Sequence, residues 1–184
     1  CIDAGLPKGV LNIVHGNGLN VGAEMTKHPK IKAISFTGST NVGREIAKVT
    51  APMFKKISLE MGGKNPNIIF ADCNYDKMLE TTIRSSFSNQ GQICLCGSRI
   101  YVQASIYDKF KKDFINKTNN LIVGPPDEEE TNIGAVVSKA HYYKILSYIK
   151  LAKEEGGHIL TGGEAIHPDG HEEGWYIAPT IIEG

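Results

Sequence analysis

The 184-residue sequence predicts an α/β fold, part of a parallel sheet with helices on its faces followed by a second α/β unit. Three observations predict it. Short β-rich runs alternate with segments whose apolar residues recur at helical spacing. The runs stop at glycines, at Gly16, Gly38 and Gly62–Gly63, where a chain can turn sharply. A hydrophobic content of 41% with 22% charged residues is ordinary for a globular protein, at a length that buries a real core.

In order, CIDAGLPKG reads as a helix end and turn, and VLNIVH (10–15) as a short strand. The second half of GNGLNVGAEMTKH reads as a helix closing before Pro29. KAISFTG is the next strand, a helix follows from about Ser39 to Val49, and KKISLEMGG is a third strand. PNIIFAD is an apolar run fit for a buried strand, and YDKMLETTIRSSF (75–87) a helix with Asp76 complementing its dipole. RIYVQ is a strand, SIYDKFKKDFINKTNN an amphipathic helix capped by Ser105, and VGPPDEEETNIG a loop whose acidic run is a solvated face. KAHYYKILSYIKLAKEEGG is a long helix stopped at Gly156–Gly157, and the tail reads strand, polar loop, strand. The single break falls near residues 60–64, dividing the chain into 1–61 and 62–184.

Bulk properties exclude several classes. A formal net charge of zero argues against a general polyanion binder, so no nucleic-acid partner is expected. No apolar run reaches the length of a membrane span, and no amino-terminal signal pattern is visible. The chain opens on Cys1 and closes on Gly184 just after an apolar run, which reads as a piece of a larger protein. Its four cysteines lack the spaced pairing of a secreted disulfide framework, so free thiols in a reducing, cytoplasmic setting are expected. Cys94 and Cys96 offer two thiols without a second pair at finger spacing, so no metal site is expected.

Three clusters could carry chemistry. In FTGSTNVG (36–43), a strand ends at Gly38 while Ser39 and Thr40 open a helix whose free N–H groups would favour a phosphate. Ser39 could equally be a plain N-cap, and the upstream GNGLNVG is weak as a glycine fingerprint. In LEMGGKNPN (59–67), Glu60 sits at a strand end beside two glycines. In a crevice, desolvation would suit it to a general-base role; on the surface it would only solubilise the turn. In SNQGQICLCGSRIYV (88–102), glycines and amides flank Cys94 and Cys96 with flexible, polar backbone, a setting for a reactive rather than a buried thiol.

Other features are weaker. His167, Asp169 and His171 in HPDGH read as a solvated loop, Arg99 as an ion-pair anchor, and Trp175–Tyr176 as packing. A cysteine–histidine hydrolase lacks a recognisable histidine partner motif.

Taken together and in this order, the three clusters resemble the central part of an aldehyde dehydrogenase. Cys94 follows Glu60 by 34 residues, the interval usual in that family. SRIYVQASIYDKF, the VGPP loop, NIGAVVSKAH and GWYIAPTII extend the likeness almost to Gly184. The resemblance implies a Rossmann-like NAD-binding domain, of which residues 1–61 are the C-terminal part, followed by a truncated catalytic thiol domain over 62–184.

It places the nucleophile at Cys94, two residues after Gln92, and the general base at Glu60, converging on one pocket. It leaves Cys96 a spectator. Cofactor contacts fall on Gly38, Ser39, Thr40, Val42, Gly22 and Met61. Ser39 would touch the pyrophosphate, Gly38 and Thr40 shape the turn, and Val42 and Gly22 line the adenine side. Met61 stands where leucine is common, in a backbone role. Implied too are a small aldehyde substrate, NAD without excluding NADP, and a homo-oligomer, dimer or tetramer, of the full-length protein.

QICLCGSRIYVQ, SIYDKF and GAVVSKAHYYK most resemble a branch acting on a carboxylated semialdehyde. The family's oxyanion asparagine falls outside residues 1–184, so the piece is expected to be inactive alone. A catalytically dead relative kept for structure or binding is the alternative.

Overall fold

A computed structural model describes all residues 1–184, as two compact units, Cys1–Gly62 and Gly63–Gly184. In the first, residues 10–15 form no strand. A strand needs a ladder partner, and here Val10, Leu11, Ile13 and Val14 lie exposed in irregular backbone. The Asn17 side chain accepts from Asn20 N at 2.9 Å, opening a π-turn (Gly18–Gly22). That turn runs directly into helix α1 (Ala23–Lys27), which ends before Pro29 as expected.

Strands β1 (Ala33–Gly38) and β2 (Lys56–Met61) pair in parallel, from Ala33 opposite Lys56 to Gly38 opposite Met61. Parallel strands require a crossover, and helix α2 (Thr40–Thr50) supplies it. Its buried residues Gly43, Ile46 and Thr50 repeat at helical spacing. Thr50 donates to the Ile46 carbonyl at 2.7 Å, which satisfies its buried hydroxyl.

The second unit repeats the theme. Strands β3 (Pro66–Ile69) and β4 (Arg99–Val102) are parallel, with helix α3 (Tyr75–Phe87) inside the crossover. Asn74 caps α3 by accepting from Lys77 N at 3.2 Å, and Asp76 sits in its first turn. Helix α4 (Tyr107–Asn119) buries Phe110, Phe114 and Thr118, four residues apart. Ile69, Leu79, Phe110 and Phe114 form one apolar cluster, within which Phe110 and Phe114 stack at 5.1 Å. Removing Phe114 would cost about 3–5 kcal/mol by the usual core-truncation scale.

Ser105 does not cap α4. A short 3-10 turn (Ala104–Ile106) precedes the helix, so the N-cap position falls on Ile106 and carries no side-chain cap. Helix α5 (Lys139–Glu154) is capped by Ser138, which accepts from His141 N at 3.3 Å, and stops at Gly156 with φ +94°.

The tail is more finely divided than a strand–loop–strand. Strand β5 (His158–Thr161) pairs antiparallel with β8 (Ile181–Glu183), and β6 (Ala165–Ile166) with β7 (Tyr176–Ile177). Trp175 and Tyr176 do pack: Tyr176 is buried, and Trp175 lies 5.4 Å from the Tyr142 ring. The acidic run Asp127–Glu130 and the HPDGH histidines are exposed. No helix is long and apolar enough to cross a membrane.

Candidate active site

In the first unit, β1 delivers Gly38 to the start of α2. Ser39 Oγ accepts from Val42 N at 3.3 Å and its carbonyl from Gly43 N at 3.0 Å, so Ser39 is a true N-cap. The first helical N–H groups, those of Thr40 and Asn41, have no partner inside the helix. Gly38, Ser39, Thr40 and Val42 are all exposed, so these donors face outward at the strand's end.

Two predicted cofactor residues have local explanations. Gly22 continues the π-turn into α1, and a Cβ there would meet nothing within 4 Å. Met61 sends its sulfur over buried Gly43, where an added Cβ would come within 2.6 Å of it. That glycine lets β2 and α2 approach closely, a role the sequence reading missed. A cavity of about 510 Å³ in this unit is lined by Asn20, Val21, Glu24, Met25, Lys27, His28, Pro29 and Ile31, and includes none of the predicted contacts.

Glu60 stands on β2 opposite Thr37 and is exposed in its unit. The crevice that would desolvate it is not built by residues 1–62. The chain passes to the second unit at Gly62–Gly63, two residues further on.

In the second unit, the thiols separate by environment. Cys94 is exposed while Cys96 is buried at 7%. They lie in a β-turn closed by Cys96 N donating to the Ile93 carbonyl at 3.1 Å, which puts Cys94 at the first corner. The amide of Asn65, just before β3, donates to the Cys94 carbonyl at 2.7 Å and the Cys96 carbonyl at 3.1 Å.

Gly97 follows, buried against α3. Its N–H donates to the Ser85 carbonyl at 3.1 Å, and a Cβ would stand 2.8 Å from Ser85 Oγ and 3.3 Å from Asn67 Cβ. A second cavity, about 410 Å³, reaches Asn65, Leu95 and Gly97 but not Cys94.

Upstream, Asn89, Gln90 and Gly91 occupy left-handed backbone in succession, with φ of 50°, 57° and 71°. For the two non-glycine residues this costs on the order of 1 kcal/mol each, so other contacts must hold the segment. Gln92 supplies one: its Oε1 accepts from Val137 N at 3.1 Å, 45 residues away. With its oxygen toward Gly134, the Gln90 amide accepts from Gly134 N at 2.8 Å. Arg99 is no ion-pair anchor. Its Nε and Nη2 donate to the Lys64 carbonyl at 3.0 and 2.7 Å, because the neighbouring acceptor is backbone rather than carboxylate.

The profile of the aldehyde dehydrogenase family matches residues 1–184. The chain belongs to the aldehyde dehydrogenase family. It is 48% identical to the 2-aminomuconic semialdehyde dehydrogenase of Homo sapiens over 183 residues, covering 97% of this chain and 37% of that protein.

To the betaine aldehyde dehydrogenase of Vibrio vulnificus it is 41% identical, again over 97% of this chain and 37% of the relative. Among solved structures, betaine aldehyde dehydrogenase from Staphylococcus aureus in complex with NAD+ superposes with a TM-score of 0.92 at 38% identity, covering 98% of this chain and 36% of that one. HpcC from Thermus thermophilus gives 0.94 at 32% identity, covering 100% and 36%. The α/β fold class is therefore that of aldehyde dehydrogenases, and this chain spans little more than a third of its relatives' length.

Proposed function

We propose that this chain carries the nucleophile, the general base and part of the cofactor site of an enzyme that oxidises an aldehyde to a carboxylic acid. The observation that carries the proposal is the contrast between exposed Cys94, at the corner of a tied turn, and buried Cys96. A nucleophilic thiol needs access and nearby donors; a packed one has neither role nor reach.

The residues present fit NAD. The uncapped Thr40 and Asn41 N–H groups at the start of α2 suit an anionic pyrophosphate, with Ser39 beside them and exposed Val42 offering an apolar surface for the adenine. Gly38 shapes the approach, Gly22 lines the adenine side with Val42, and Met61 contributes backbone. NADP would meet the same donors. Bound NAD supplies the hydride acceptor that converts a thiol adduct into a thioester.

The chain's own residues do the rest. Cys94 Sγ, as thiolate, forms a bond to the aldehyde carbon, and the carbonyl π pair moves to oxygen, giving a tetrahedral thiohemiacetal. The Cys94 N–H donates to that oxyanion. After oxidation to the thioester, Glu60 takes a proton from water as its oxygen attacks the carbonyl carbon. The C–S bond then breaks, Sγ leaves as thiolate, and the acid is released.

The 48% identity to the human 2-aminomuconic semialdehyde dehydrogenase supports a carboxylated semialdehyde as substrate. Residues 1–184 alone are expected to turn over no aldehyde, since Ile68 and Tyr101 on the β3–β4 pair are 61% and 54% exposed and the first unit leaves Glu60 open. The test uses the complete enzyme with a panel of aldehydes including 2-aminomuconic semialdehyde. Cys94→Ala should abolish NADH production, and Cys96→Ala should keep most of it. Glu60→Gln should give a burst of NADH that then stalls as thioester accumulates. Turnover surviving in Cys94→Ala would favour a structural or binding protein instead.

A further inference from the structure

We propose that Asn65 is a positioning residue for the nucleophile, its one amide group fixing the peptides on either side of the turn that carries Cys94. The inference rests on Cys94 being the nucleophile. An asparagine amide has two N–H donors, and here both are spent on the same turn, on the Cys94 carbonyl at 2.7 Å and the Cys96 carbonyl at 3.1 Å. Two carbonyl dipoles converging on one point repel each other and would oppose a thiolate nearby; a shared donor offsets both effects.

The third carbonyl of the turn, that of Ile93, accepts from Cys96 N at 3.1 Å. A trans peptide holds its N–H antiparallel to its carbonyl. With Ile93 O turned to Cys96, the Cys94 N–H points out of the turn, where an oxyanion can meet it.

Asn65 is itself well held. Its carbonyl accepts from Arg99 N at 3.2 Å, and the Lys64 carbonyl receives both Arg99 Nε and Nη2. Pro66 follows, which biases residue 65 toward extended backbone. The amide is thus aimed before any substrate arrives. Nothing else in the turn provides such a tie: the Cys94 carbonyl is met by Asn65, while that of Cys96 is shared with Ser98 N at 3.0 Å.

The experiment compares Asn65→Ala, Asn65→Ser and Cys94→Ser in the complete enzyme, reading kcat, the KM for NAD and the rate of Cys94 alkylation by iodoacetamide across pH. Asn65→Ala should lower kcat about 10- to 100-fold, the scale for a misplaced reacting group. It should also slow alkylation and leave the KM for NAD unchanged. Asn65→Ser, retaining one donor, should recover part of both rates.

Wild-type kcat and alkylation in Asn65→Ala, with Cys94→Ser inactive, would overturn the role of Asn65 and leave Cys94 in place. An active Cys94→Ser would remove the underlying assignment instead. Failure of both Asn65 variants to fold would place Asn65 in the scaffold and equally overturn the proposal.

Discussion

Two turns of this molecule look alike in sequence and are built in opposite ways. FTGSTNVG and GQICLCGSR are both short, polar and glycine-bearing, and both follow or lead a strand. The first is capped from within itself: Ser39 accepts from Val42 N and Gly43 N, three and four residues on. The second is held from outside. Its long-range hydrogen bonds come from Asn65, 29 and 31 residues away from the carbonyls it meets, and from Val137 N, 45 residues from the Gln92 oxygen that accepts it. A cap needs only its own helix, whereas a turn carrying a thiol must be tied to rigid elements to keep one geometry.

Overfilling the second turn is the most forceful way to break that contrast. Gly97→Val drives a branched side chain toward Ser85 Oγ and Asn67 Cβ, and should destabilise by roughly 2 kcal/mol. Adding Ser85→Ala should return part of the loss, a non-additivity readable from urea midpoints. Simple addition of the two effects would mean that the turn is not pressed on α3.

Less costly is Ser39→Ala, expected to destabilise by about 1 kcal/mol with no distant partner to couple to. Ser39→Asp sharpens the comparison further. It should keep the cap and the stability, while weakening NAD binding by setting an anion where the pyrophosphate lies. Equal NAD affinity in calorimetry would detach α2 from the cofactor.

The smallest effect concerns His141 on α5. Burial, reinforced by Lys144 and Lys64, holds its imidazole below the ordinary value of 6.5. The folded state therefore favours the neutral ring, and its contribution is present above pH 6.5 and lost as pH falls below it. Denaturation midpoints should drop on acidification through this range, with a shallower slope in His141→Gln. An unchanged slope would show that other groups dominate.

The same contrast explains what could be read ahead. Helix α3 was legible over its whole length, Tyr75–Phe87, because its apolar spacing and acidic first turn are properties of neighbours in sequence. The expected strand at 10–15 failed, since a strand exists only with a partner and none pairs with it here. Ser105 looked like a cap, yet a 3-10 turn displaced the N-cap by one residue, to Ile106. Glu60 was singled out by its strand end and glycines, but exposure is a property of the surroundings, and its own unit leaves it open.

By itself the sequence determined the alternation of strands and helices and the family, because each depends on residues close together or on motifs in fixed order. Only the tertiary structure decided which thiol is open, that Asn65 grips the turn on both sides of Leu95, and that Gly43 makes room for Met61. Those are meetings of residues far apart along the chain, and no local spacing encodes them.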